Sequence, residues 1–82
     1  MSSSIDTKYI VQDLLEVGRK LLREYNAGGA PEALFQARAV HSAMQAVLGP
    51  FTGGAHTCEA EYSFRLDTVW TFDDEVRKAS RA

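Results

Sequence analysis

One cysteine, two prolines and a formal charge of only −2 leave this 82-residue chain with few of the devices that commonly stabilise or address small proteins. Cys58 has no partner for an intrachain disulfide, and a lone cysteine points to a reducing compartment. Nine Lys or Arg residues against eleven Asp or Glu give no basic surplus, so nucleic acid is not the expected partner. No apolar run nears the roughly 18 residues that span a bilayer. The N-terminus lacks the basic stretch and apolar segment of a secretory signal. No membrane contact is therefore expected, and the cytoplasm is the expected compartment. Gly28-Gly29 and Gly53-Gly54 come with neither a P-loop lysine nor a three-glycine fingerprint, and they read as turns.

What is present is average for a globular domain: 45% hydrophobic and 24% charged residues. A single domain over residues 1–82 is expected, with a thin core that a second subunit would support. After a polar leader at 1–5, Ile10, Leu14, Val17, Leu21 and Tyr25 recur at helical spacing, widened by Val11, Leu15 and Leu22. This predicts a helix over about 6–26, with Glu16 and Lys20 as an i,i+4 pair. Asn26-Ala27-Gly28-Gly29 ends it. Pro31 suits the first position of a second helix over about 31–48, and Gly49-Pro50 stops it. So short a link predicts an antiparallel helical hairpin. Phe35, Ala39, Ala43 and Ala46 extend the second helix's apolar face with small side chains.

From Cys58 the period changes. Cys58, Ala60, Tyr62, Phe64 and Leu66 alternate with Glu59, Glu61, Ser63, Arg65 and Asp67, which predicts a strand over about 57–66 with the charged residues on its wet face. A helical alternative joins Tyr62, Leu66, Val69 and Val76. A last helix over about 71–80 places Asp73, Asp74 and Glu75 first and Arg77, Lys78 and Arg81 last, in the order that complements the helix dipole. The expected fold is therefore α+β, an ααβα domain in which the hairpin packs on a short strand or sheet. A lone strand leaves backbone donors and acceptors unpaired, so the sheet is expected to be completed by a homodimer or by another protein.

Candidate chemistry is sparse. His56 and Cys58, with Glu59 and His41, are the one grouping that suggests a metal- or thiol-dependent site, yet the paired spacings of structural zinc sites do not occur. The acids at 73–75 are accounted for by the helix dipole. No catalytic, cofactor-binding or metal residues are assigned, and no cofactor is expected. Phe51, Tyr62, Phe64, Trp70 and Phe72 are the expected interface, since large aromatics concentrate at binding hot spots. The expected function is a non-enzymatic, protein-binding regulatory or inhibitory module. The alternatives are a small nucleic-acid or nucleotide binder, using the cationic side of the first helix or Arg77, Lys78 and Arg81, and a metal- or thiol-dependent site at His56 and Cys58.

Overall fold

A computed structural model describes residues 4–49 and 59–81, with side chains from Thr7 onward. Every described element is helical: α1 (Ser4–Asn26), α2 (Pro31–Leu48), α3 (Glu59–Arg65), a π-helical turn (Leu66–Trp70) and α4 (Thr71–Arg81). Arg65 and Thr71, at the junctions of the π turn, both keep α-helical backbone angles. Residues 59–81 therefore form one continuous rod.

The α1/α2 hairpin is made by local chemistry. Gly28 adopts φ +94°, a region that L side chains rarely enter. The Gly28 N–H donates to Tyr25 O and the Gly29 N–H to Glu24 O, the paired bonds of a Schellman turn that satisfy the last carbonyls of α1. Pro31 opens α2, where its missing N–H costs nothing. α1 and α2 then pack along their length, and α4 lies against both.

Cross-links fix the direction of the rod. Lys8 lies over the Phe64 ring, Arg19 pairs with Glu75, and Arg38 bonds Ser80. The rod thus runs parallel to α1 and antiparallel to α2, giving an up-down-up three-helix arrangement. Its core is Val11, Leu15 and Leu22 from α1, Leu34, Ala37 and Met44 from α2, and Val69, Phe72, Val76 and Ala79 from the rod.

Two contacts seat the rod. Phe72 is fully buried, with its ring against the α1 backbone at Gly18, where a Cβ would lie 2.4 Å from Cζ. Glycine in a helix interior costs about 1 kcal/mol relative to alanine, and here it makes room for the ring. Arg65, only 6% exposed, donates from Nη1 to Gly49 O and from Nη2 to Leu48 O, each at 3.2 Å, and pairs with Glu61 at 3.3 Å. A guanidinium of the rod therefore caps the C-terminus of α2, satisfying carbonyls and favouring the negative dipole end.

The expected α+β fold is overturned, because residues 59–66 are helical and no strand or sheet occurs among the described residues. An isolated strand would leave its N–H and C=O groups unpaired, whereas a helix satisfies them internally. Arg65, expected on a wet strand face, is buried. The buried set of the rod, Arg65, Thr68, Val69, Phe72, Val76 and Ala79, follows helical spacing. Residues 57 and 58 of the expected strand lie outside the described residues. Without the strand, the reason for completing a sheet by dimerisation is gone as well.

Hydroxyl bonds shape the π turn. The Thr68 Oγ1 donates to Phe64 O at 2.6 Å, and the Thr71 Oγ1 donates to Leu66 O. That carbonyl also accepts the Thr71 N–H five residues on, the bond that defines the wider turn.

Candidate functional site

Of the aromatics expected at an interface, Phe72 is a core residue, inaccessible to any partner. Phe64 is half-buried under Lys8, 5.5 Å from the ammonium. Trp70 is half-buried and meets Tyr62 edge-on, ring centroids 5.3 Å apart, and Tyr62 remains exposed. Phe51, His56 and Cys58 lie outside the described residues. His41 faces α4, with Nε2 at 3.8 Å from Asp73, too far for a hydrogen bond. Among the described residues no three His, Cys, Asp or Glu side chains converge as metal ligands. No described helix is long and apolar enough to cross a membrane.

Two surfaces emerge instead. The first is the outer face of the α1/α2 hairpin. On α1, Lys8, Gly18 and Arg19 turn toward the rod. At 100° per residue, Ile10, Leu14, Val17 and Leu21 fall on the opposite flank. On α2, Arg38 and His41 turn toward the rod, and Val40, Ala43 and Val47 fall on the other side. Together these residues line the back of the hairpin. Leu14, Leu21 and Val40 are partly covered, while Ile10 is 48% exposed, Val17 51% and Val47 38%. Ala39, Ser42 and Ala46 lie exposed beside them, and between Arg38 and Gly49 α2 carries no Asp, Glu, Lys or Arg. Asp13 and Glu24 on α1 and Glu32 on α2 rim this strip, with Lys20 as its one nearby cation.

The second surface surrounds the end of α4. Seven of the nine Lys and Arg residues occur in 19–38 and 77–81, where α1 ends, α2 begins and α4 ends. Two clefts flank α4 there, one of about 410 Å³ against α1 with Arg19, Arg23 and Lys78, the other of about 350 Å³ against α2 with Arg38, Arg77 and Arg81. Three cations are paired: Arg19 with Glu75, Arg77 with Asp73, and Lys78 with Asp74. Arg23, Arg38 and Arg81 have no carboxylate partner among the described residues. The expected Glu16–Lys20 pair is likewise not formed among them. The cationic side of α1 and the C-terminal arginines, separate features in the sequence, thus meet around one helix end. Only the sign pattern of the last helix hinted at this; the convergence of Arg38 had no signal in the sequence.

No protein-family model, curated protein or solved structure matches this chain.

Proposed function

We propose that this chain is a non-enzymatic protein-binding module that receives an amphipathic helix of a partner protein on the outer face of its α1/α2 hairpin. The observation that supports it is the strip just described: Ile10, Val17 and Val47 stand half-open on one uncharged face beside exposed Ala39 and Ala46. Single exposed hydrophobes are ordinary, but an apolar strip two helices wide is the kind of surface that grooves for helices present. Small side chains let another backbone come close. The acidic rim of Asp13, Glu24 and Glu32 selects a partner with apolar residues at i, i+3, i+4 and i+7 flanked by Lys or Arg. A second copy fits less well, because it would set one acidic rim against another. Occupying such a helix lets a protein without catalytic groups regulate or inhibit its target. A reducing, cytoplasmic setting belongs to the same proposal, on the single cysteine.

A labelled model helix of that pattern should bind the full chain saturably, as read by fluorescence anisotropy. Val17→Glu should weaken binding at least about tenfold, since it sets a charge in the apolar centre, while leaving the fold intact at an exposed site. Unchanged affinity in that variant sinks the proposal. A wild-type dimer in sedimentation that Val17→Glu dissociates would assign the face to self-association instead.

A further inference from the structure

We infer that the cleft between α2 and α4 is a binding site for a phosphoryl group, held by Arg38, Arg77 and Arg81. Arg38 is the informative member. Its Nη2 donates to the Ser80 Oγ at 2.7 Å, and that hydroxyl donates in turn to Val76 O at 2.9 Å. The guanidinium also lies 5.9 Å from the centre of the Phe35 ring. It is thereby held across the gap from α2 to α4 with one of its five N–H donors committed, and the rest remain for a ligand. Arg77 pairs through Nε with Asp73 Oδ2 at 3.1 Å, which leaves its terminal nitrogens free of that contact. Arg81 has no partner among the described residues.

Charge favours a doubly charged anion. Three guanidiniums face the single carboxylate of Asp73, so two positive charges are uncompensated. The neighbouring acids point elsewhere, Asp74 to Lys78 and Glu75 to Arg19. Capping of the α4 dipole accounts for Arg77 and Arg81, but not for Arg38, which reaches over from the first half of α2. A second observation is independent of the arginines: His41 lines the same cleft, and its Nε2 is buried without a hydrogen-bond partner in the described structure. Buried polar atoms are rarely left so. That nitrogen has no accessible surface and lies 3.8 Å from Asp73 Oδ1, so an oxyanion that settles beside Asp73 acts on the imidazole through that neighbour. Several planar arginine forks lining one cleft match the several oxygens of a phosphoryl group better than one carboxylate, which a single fork already saturates.

The test is an NMR titration of the full chain with inorganic phosphate and, separately, glycerol 3-phosphate, at constant ionic strength. The arginine Nε–Hε signals of residues 38 and 81 and the His41 ring signals should move saturably. Arg38→Gln and Arg81→Gln should each weaken binding about tenfold or more, the fold-change expected for losing a charge-assisted bond. Lys20→Gln, a charge change outside the cleft, should leave it unaltered. Tighter binding of glycerol 3-phosphate identifies a phosphate monoester as the natural ligand, and equal binding identifies free phosphate; either supports the site. Shifts that never saturate, or an equal loss in Lys20→Gln, reduce the effect to diffuse charge and overturn it. A glutamate-rich peptide binding where phosphate does not overturns it too, in favour of an acidic protein partner.

Discussion

The α1/α2 hairpin and the 59–81 rod are both helical, yet they are held by different means. Along the hairpin, contact between α1 and α2 is distributed over their whole length, and the turn is closed by its own backbone bonds. The rod is seated at a few points: the Phe72 ring on Gly18, the Arg65 guanidinium on the end of α2, the Arg19–Glu75 ion pair to α1 and the Arg38–Ser80 bond to α2. Its first segment, α3, makes no close backbone approach to α1 or α2. The difference shows that helical structure in one small chain can come either from a continuous apolar seam or from a few specific anchors. Anchors concentrate stability in single residues, so single substitutions should separate the two regions.

The sharpest break is Phe72→Ala, which empties the centre of the seam between rod and hairpin. Truncating a buried phenylalanine costs about 3–5 kcal/mol, comparable to the whole stability of many domains of this size. Urea unfolding should show the variant largely unfolded, or lacking its rod, and near-wild-type stability would refute the anchor. Next comes Arg65→Met, which keeps the aliphatic stem and removes the donors to Leu48 and Gly49. A loss of about 1–3 kcal/mol is expected from the uncapped carbonyls, with faster amide hydrogen exchange in the last turn of α2 and in α3 while α1 stays protected. Uniform acceleration over the chain would argue against a local cap. Smallest is Gly18→Ala, where two effects oppose. Helix propensity gains about 1 kcal/mol, and overpacking against the Phe72 ring costs about 1–3 kcal/mol. Net destabilisation of roughly 1 kcal/mol is expected, and it should turn into a gain once Phe72→Leu vacates the space. A gain in the single variant would show that the ring moves aside freely.

The same contrast explains what could be read from the sequence. In α1 hydrophobic spacing located the helix but not its inward side, since Val11, Leu15 and Leu22 are buried while Ile10 and Val17 of the same broad stripe are exposed, and Gly28, Gly29 and Pro31 marked the turn with residues suited to its backbone. In the rod hydropathy and burial diverge further. Arg65 and Thr68 are buried although polar, and Tyr62 and Leu66 are exposed although apolar. These reversals leave residues 59–66 alternating in hydropathy while their backbone is helical. An unpaired strand in so short a chain was itself a reason to prefer the helical alternative. The outer face was not legible as a site, and of the second surface only the cations of α1 and Arg77, Lys78 and Arg81 were, as separate features without Arg38. The outer face shares its residues with the core stripe of α1, and the cleft between α2 and α4 depends on Arg38 meeting Ser80, 42 positions away. What hydropathy could not separate was which side of a broad stripe faces inward.

The reach of Arg65 to the end of α2 also bears on the order of assembly during translation. When the ribosome has released the hairpin, the side chain that closes α2's last carbonyls is still inside the exit tunnel, and so is the ring destined for Gly18. The nascent hairpin therefore waits with its inner surface open to water and chaperones until the remainder of the rod emerges and docks.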